Sequence, residues 1–302
     1  MPREAFIDRN FSDASLETIE RANRIIRDYQ REGFTLTLRQ LYYQFVAKGL
    51  LENKQTEYKR LGSIINDGRL AGLIDWEAIE DRTRNVRRPS TWDDPAEIIA
   101  AIADQYKEDL WADQPYRIEV WIEKDALVGV IEPVCERWRI PYFACRGYSS
   151  QSEQWRAGKR FEEWKDNGQD PIVLHLGDHD PSGMDMTRDN TDRLAMFAGR
   201  GVEVRRLALN MPQILQYNPP PNPAKESDSR SSGYIERFGD KSWELDALDP
   251  RVIDRLIDRE VRDIIDMELW EEKKEGEEGR KSLLKGASDN WSDVEDFLRG
   301  IE

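Results

Sequence analysis

The chain has little cysteine, little histidine and no long apolar run, and each shortage excludes a class of protein. Its two cysteines, Cys135 and Cys145, are too few for a disulfide framework and fit a reducing compartment. With only two histidines besides, a zinc site is not expected. No apolar run is long enough to span a membrane and no signal-peptide pattern is present. We therefore expect a soluble, cytoplasmic protein.

Positive charge is also in short supply. Lysine and arginine number 45 against 60 aspartates and glutamates, which gives a formal net charge of −15. This balance argues against a nucleic-acid partner, because contacts to phosphates drive such binding. The charge is uneven, however: residues 54 to 88 are rich in basic side chains and residues 243 to 278 are acidic. The position of the basic residues counts for more than the net charge, so a DNA partner remains open.

Two acids follow an apolar run that reads as a buried strand. Residues 172 to 176 are apolar or His, and Gly-Asp-His-Asp-Pro-Ser-Gly then breaks the chain. Ligands of α/β sheets bind at the carboxyl ends of strands, so Asp178 and Asp180 lie where chemistry is usually done. Two carboxylates about 5 Å apart repel by about 3 kcal/mol at an effective dielectric near 20, and a divalent metal would offset that cost. The same pattern also suits an Asp-rich turn that caps a helix.

A second strand ends in the same way. Residues 117 to 122 are β-rich, and Glu123 follows them directly. If the two strands are neighbours in a parallel sheet, Glu123 would converge with Asp178 and Asp180. Oxygen ligands of this kind suit Mg²⁺ or Mn²⁺, which keep several waters and bind substrate phosphates. His179 lies between the two aspartates and is expected to be structural.

The N-terminal part predicts a pair of helices, the second of which would read DNA. Thr37 and Gln40 form a capping-box pattern before a helix in which Tyr42 lies on the apolar face. Tyr43 is rotated about 100° further round, so it should leave that face, and Arg39 shares its flank. A second helix spans residues 54 to 67, and a short apolar segment follows it, as in a winged helix-turn-helix. The predicted DNA contacts are Lys59, Arg60, Lys124 and Arg84.

The ordered motifs resemble a known family. Ile-Glu-Lys-Asp-Ala around Glu123, and Gly-Asp-His-Asp-Pro-Ser-Gly-Met-Asp from Gly177, look like the Toprim domain of topoisomerases, primases and related nucleases. The sequence is most similar to the A subunit of type IIB topoisomerase (topoisomerase VI) and its meiotic double-strand-break relative. The similarity spans roughly residues 35 to 265 in the family's order. One element departs from the family, since the Tyr-Pro-Asp of its loop is Tyr148-Ser149-Ser150 here.

The resemblance implies a reaction and a set of residues. Tyr43, the second tyrosine of Arg-Gln-Leu-Tyr-Tyr, would attack DNA with help from Arg39 and form a reversible 5′-phosphotyrosyl break. A phenol with a pKa of about 10 is a poor nucleophile, so it needs such help. The resemblance also implies that three acids hold Mg²⁺ or Mn²⁺ with a fourth acid close by: Glu123, Asp178 and Asp180, then Asp185. It further implies a homodimer in which the tyrosine of one protomer faces the acids of the other, and strand passage would need a separate GHKL-type ATPase subunit.

Other functions fit the same residues. In a hydrolytic Toprim nuclease, water attacks and Tyr43 only packs or orients. In a DNA-binding protein without catalysis, the metal site would be vestigial, although retention of all the acids argues against this. Paired tyrosines in a helix are also ordinary packing residues.

The predicted fold class is α/β plus α: a winged helix-turn-helix domain followed by a Toprim domain with a mostly parallel sheet flanked by helices. We divide the chain into four parts. These are an N-terminal helical arm (1–34), a winged-helix DNA-binding domain (35–95), a Toprim metal-binding domain with a C-terminal extension (96–270) and a charged tail (271–302). Residues 219 to 242 are expected to be an irregular segment, and Asp249 and Pro250 to open a helix.

Overall fold

A computed structural model describes residues 3–80, 90–199, 201–224 and 230–301. The predicted DNA contact Arg84 lies outside these ranges. Within them, the protein combines a bundle of N-terminal helices with a parallel sheet that has helices on both faces. None of the described helices is both long and apolar enough to cross a bilayer.

The N-terminal unit contains α1 (Asp13–Gln30), α2 (Leu38–Ala47) and α3 (Gln55–Leu70), followed by a short 3-10 helix (Trp76–Ala78). The predicted capping box of α2 is confirmed. The Thr37 side chain accepts from the Gln40 backbone N–H, and the Gln40 side chain accepts from the Thr37 backbone N–H. The three helices share one apolar core, which includes Ile19, Ile26, Leu41, Phe45, Leu61 and Ile65.

The predicted wing is not seen as a hairpin. Among the described residues of this unit, the pairing consists of isolated bridges, Leu36 with Ile79 and Ala5 with Ala71. Apolar periodicity fixes helices well, whereas a hairpin also needs turn residues that hold two strands in register. The helix pair of the sequence prediction is therefore present, and the winged-helix assignment stays a prediction.

A parallel sheet forms the centre of the second part. After α4 (Pro95–Gln105), strands and helices alternate: β1 (Tyr116–Ile122), α5 (Val128–Trp138), β2 (Tyr142–Ala144), α6 (Gln151–Asp166), β3 (Asp170–Leu176), α7 (Pro181–Ala198) and β4 (Glu203–Ala208). A short 3-10 helix, Asp125–Leu127, precedes α5. The strand order is β2-β1-β3-β4 and every pairing is parallel. This confirms the predicted α/β class and makes the two acid-bearing strands direct neighbours.

Alternate residues of the central strands enter two different cores. Ile118, Val120 and Leu174 lie in the larger core, which α5 and α10 (Pro250–Ile264) complete. Trp121 and Val173 lie in a smaller core on the opposite face, under α6 and α7. Burial of both faces explains why the strands read as continuous apolar runs instead of alternating ones.

The C-terminal third differs from its prediction in one respect. Residues 219 to 242 are not wholly irregular: β5 (Asn222–Pro223) pairs with β6 (Lys241–Ser242), and α9 (Ser231–Phe238) lies between them. Helix α8 (Met211–Tyr217) precedes them, and a 3-10 helix, Leu245–Ala247, follows. The predicted cap of α10 by Asp249 with Pro250 at its first position is confirmed. The charged run lies in α11 (Met267–Asp289), before α12 (Trp291–Arg299).

Candidate functional site

A cavity of about 390 Å³ lies between the N-terminal helices and the carboxyl ends of the strands. Side chains of α2 line one wall, and Asp178 and Asp180 from the end of β3 line another. Further lining residues come from the loop before α3 and the start of α3 (Asn53, Gln55, Tyr58), from β5 (Asn222, Pro223), and from the end of β6 and the two residues after it (Ser242, Trp243, Glu244). The cavity therefore brings the sequence-predicted tyrosine and aspartates together within one chain. Tyr43 lies in α2 and the aspartates follow β3, so the cavity lies where the two parts of the chain meet, and a site shared between two protomers stays a prediction.

An ion-pair network joins the two walls. Arg39 Nε lies 2.8 Å from Asp246 Oδ2, and the same guanidinium donates to Glu244. Lys124 Nζ lies 3.0 Å from Asp178 Oδ2, 3.0 Å from Glu244 Oε2 and 3.0 Å from Asp246 Oδ1. Because Arg39 belongs to α2 and Lys124 follows β1, the two acids between them hold the helical unit against the sheet.

Glu123 and Asp178 meet directly at the sheet edge. Glu123 Oε2 accepts from the Asp178 backbone N–H at 2.8 Å, and Asp178 Oδ1 accepts from Leu245 N–H at 2.8 Å. The close approach needs a residue without a side chain, since a Cβ on Gly177 would lie 3.0 Å from Glu123 Oε2. The prediction that the acids of β1 and β3 converge is thus confirmed for this pair.

Asp180 and Asp185 lie at the N-terminal end of α7. Asp180 is the N-cap of this helix, and its Oδ1 accepts from Gly183 N–H at 2.6 Å, which is the helix-capping alternative that the sequence left open. Asp180 nevertheless still lines the cavity. Asp185 lies one turn on, where its carboxylate accepts from the Tyr148 hydroxyl at 2.6 Å and pairs with Arg188 at 2.8 Å. Hydrogen bonding from Arg188 lowers the pKa of Asp185 to about 2.

The acids at the sheet edge have raised pKa values. Burial raises the pKa of Asp178 to about 7, and burial together with the charge of Asp180 raises the pKa of Glu123. A cation bound among these groups would stabilise their charged forms. Oxygen donors suit Mg²⁺ or Mn²⁺. Within the described ranges, however, no three His, Cys, Asp or Glu side chains are grouped closely enough to hold a metal ion. The donor chemistry fits the predicted metal, and metal binding itself stays a prediction.

Tyr43 is more enclosed than the helical wheel predicts. Its side chain is only 4% exposed, and its hydroxyl donates to Glu244 Oε2 at 3.1 Å. Burial raises the pKa of Tyr43, and the negative charges of Asp246 and Glu244 raise it further. The predicted exposure is wrong because the segment that carries Glu244 covers this flank of α2, which the periodicity of α2 alone cannot show. The predicted proximity of Arg39 is confirmed, with its guanidinium 5.9 Å from the centre of the Tyr43 ring.

Tyr42, expected in the core, is buried, and its hydroxyl bonds to the loop before α3. Its hydroxyl lies 3.2 Å from Asn53 Oδ1 and accepts from Lys54 N–H at 2.9 Å. Asn53 Nδ2 in turn donates to Asn222 Oδ1 at 2.9 Å, which links the loop before α3 to β5. The Tyr42 hydroxyl therefore holds the loop before α3, and Asn53 connects that loop to β5, whereas the Tyr43 hydroxyl faces the ion-pair network.

The predicted DNA contacts fall in different environments. Lys59 and Arg60 lie exposed on α3, where Arg60 pairs with Glu57 at 2.5 Å. Lys124 does not project from the surface, since 22% of its side chain is exposed and it lies within the network of acids. The acids raise its pKa against the effect of burial, so it remains charged.

Sequence reasoning missed three residues of the site. Glu244 and Asp246 lie between Arg39 and Lys124, and the guanidinium of Arg206 donates to the backbone oxygens of Gly177, Asp178 and Gly183. Burial lowers the pKa of Arg206 to about 10. In the sequence, Glu244 and Asp246 were only part of the acidic stretch of residues 243 to 278, which gave no indication of their partners. His179 was expected to be structural, and it is buried, with Nδ1 2.7 Å from the Tyr234 hydroxyl.

No known protein-family model matches the chain, and no curated protein matches it either.

Proposed function

We propose that this protein is a DNA-cleaving transesterase in which Tyr43 is the nucleophile. The observation that supports the proposal is the shared cavity, which places Tyr43 and Arg39 on one wall and Asp178 and Asp180 on the other. The order of motifs that resembles type IIB topoisomerase A subunits supports it as well. Neither feature alone would be specific, because paired tyrosines and strand-end aspartates are common in folded proteins.

The proposed step is an in-line displacement at phosphorus. Tyr43 Oη attacks the phosphodiester, the bond from phosphorus to the 3′ oxygen breaks, and the product is a 5′-phosphotyrosyl link beside a free 3′ hydroxyl. The phenol proton passes to solvent, and the leaving 3′ oxygen takes up a proton from solvent in turn. Arg39, beside the Tyr43 hydroxyl, stabilises the negative charge that develops on the reacting oxygens.

Glu123, Asp178 and Asp180 would hold Mg²⁺ or Mn²⁺. When bound, such an ion supplies positive charge next to the transferring phosphoryl group. Lys124 has a complementary role in the chain itself: it neutralises Asp178 from 3.0 Å and keeps the region between the acids and α2 from becoming strongly negative.

Protein-linked DNA ends test the proposal. Plasmid incubated with the protein and Mg²⁺ or Mn²⁺ should yield breaks whose 5′ ends stay with the protein until a protease removes it. Tyr43→Phe should abolish these ends, because Phe keeps the ring and removes only the hydroxyl. Tyr42→Phe is the matched control and should cleave at a rate close to that of the wild type.

A hydrolytic nuclease is the second candidate function, and one observation favours it. Tyr43 is nearly fully buried and its pKa is raised, so its phenolate is hard to form in the structure described. In this case water attacks the phosphodiester, and Tyr43 holds Glu244 in place. Cleavage at an unchanged rate by Tyr43→Phe, with free 5′ phosphates, would establish hydrolysis and exclude the transesterase.

The homodimer also stays a proposal. A duplex cut on both strands needs two nucleophiles, and a two-fold axis supplies them in matching orientation. Because one chain contains Tyr43 and the acids in a single cavity, each protomer would carry a whole site. A mixture of Tyr43→Phe and Asp178→Ala proteins should then nick nothing, whereas recovered nicking would show that two chains share each site.

A further inference from the structure

The carboxylate of Glu244 is surrounded by hydrogen-bond donors. It accepts from Arg39, from Lys124 Nζ at 3.0 Å and from the Tyr43 hydroxyl at 3.1 Å, and Asn222 Nδ2 lies 3.3 Å from its other oxygen. Two cations, a hydroxyl and an amide around one anion make the same donor set that proteins use to hold a phosphate. Lys124 and Arg39 lower the pKa of Glu244 to about 2 against the effect of burial, so the carboxylate is charged.

The backbone around Glu244 is held on both sides, whereas its side chain reaches solvent. Its neighbour Trp243 exchanges two backbone hydrogen bonds with His179, at 2.8 and 3.0 Å, and Leu245 N–H donates to Asp178. The backbone on both sides is thus fixed to the loop after β3. The Glu244 side chain is 27% exposed and lines the cavity, so rotation about its own bonds can carry the carboxylate into solvent.

The cations would keep a partner if Glu244 left. Asp246, whose side chain is 3% exposed, still pairs with Arg39 at 2.8 Å and with Lys124 at 3.0 Å. Asp178 remains 3.0 Å from Lys124 as well. Asp246 therefore accounts for the contact between α2 and the sheet, and Glu244 is a second, more exposed anion on the same cations.

We propose that the Glu244 carboxylate occupies the position of a backbone phosphate of the nucleic-acid substrate and has to swing away before that substrate binds. The choice of nucleic acid as the substrate rests on the proposed function. The donors around Glu244 by themselves indicate only that a phosphate oxygen would bind there. Glu244 is then an internal competitor: it holds Arg39, Lys124 and the Tyr43 hydroxyl in place while the site is empty of substrate, and it lowers the affinity for DNA.

Equilibrium binding tests this without cleavage. The affinity of a short fluorescein-labelled duplex is measured by anisotropy at one salt concentration, in EDTA, for the wild type and for Glu244→Gln and Glu244→Ala. Gln keeps the shape of the side chain and removes its charge. Both variants should bind more tightly than the wild type, on the order of tenfold, the effect of removing one competing ion pair. Adding Arg39→Gln to Glu244→Gln should cancel the gain.

Glu52→Gln is the matched control. It removes the same charge next to Asn53, which lines the cavity, but Glu52 is exposed and pairs with Lys54 instead of the network. It should change affinity by less than about twofold, as a rim charge does. An equal gain in Glu52→Gln, no gain in either Glu244 variant, or loss of cooperative unfolding in both would overturn the inference. A gain in binding combined with no protein-linked ends under cleavage conditions would instead sink the transesterase proposal and leave this one standing.

Discussion

Glu277 gives a stability prediction that the structure allows to be worked out closely. Its side chain is fully buried although it lies within the charged run of α11. Arg139 holds both of its oxygens, one at 2.6 Å, and Lys281 Nζ lies 2.8 Å away. The Glu108 backbone N–H donates to it at 2.7 Å. The carboxylate therefore connects α11 to the segment after α4 and to the end of α5.

Replacing Glu277 by Ala should lower the free energy of unfolding by about 3 kcal/mol. Removal of one partner of a buried ion pair costs about 3–5 kcal/mol. We take the lower end because Arg139 and Lys281 keep 20% and 19% of their side chains exposed, so water can replace part of what is lost. At about 2–4 °C per kcal/mol for a chain of this size, the Tm should fall by roughly 6–12 °C.

Thermal unfolding at neutral pH, with Glu278→Ala as control, is the assay. Glu278 is the next residue, is 63% exposed and pairs only at the surface with Lys281, so its loss should cost less than about 1 kcal/mol. Hydrogen bonding from Arg139 lowers the pKa of Glu277 to about 2, below the value of about 4.3 in an unfolded chain. Its stabilisation is thus fully present above pH ~4.3 and is lost as the pH falls towards 2. Equal Tm losses in the two variants, or a difference that grows on acidification, would refute this account of Glu277.

Three further outcomes follow from the packing and the site. Gly158→Ala should destabilise the protein by about 1–3 kcal/mol in urea unfolding, because the new Cβ would lie 2.5 Å from the Phe197 Cβ. Gly233→Ala in α9 meets nothing within 4 Å and should stabilise by about 0.5–1 kcal/mol, so a loss in both would contradict the steric explanation. Asp178→Asn should abolish DNA cleavage while changing the free energy of unfolding by less than about 1 kcal/mol. Asn can still accept from Leu245 N–H, and Lys124 keeps Glu244 and Asp246 as partners. Cleavage at the wild-type rate would remove Asp178 from the mechanism.

Sequence patterns predicted the parts of the fold that depend on local order. The strands before Glu123 and Asp178 are apolar runs bounded by polar residues, and the caps at Thr37 and Asp249 depend on residues within one helical turn. That both acids follow parallel strands was also predictable, because alternation of strands and helices dictates a parallel sheet.

Features that depend on distant residues were not predictable in this way. Tyr43 was expected to be exposed, but its cover is Glu244, 201 positions further along the chain. The burial of Glu277 also depends on a distant residue, since its partner Arg139 is 138 residues away. From the sequence, the charged run around Glu277 resembles a solvated helix. The periodicity of one helix shows which residues share a face, but it does not show which segment of the chain packs on that face.

Mass spectrometry of the cleavage reaction tests the central claim most directly. The protein is incubated with duplex DNA and Mg²⁺ or Mn²⁺, denatured, and digested with nuclease and protease before peptides are sequenced. The account predicts a 5′-nucleotide attached through phosphate to Tyr43, absent from Tyr43→Phe and unchanged in Tyr42→Phe. Cleaved DNA with no modified peptide, or a nucleotide on any other tyrosine, would contradict it.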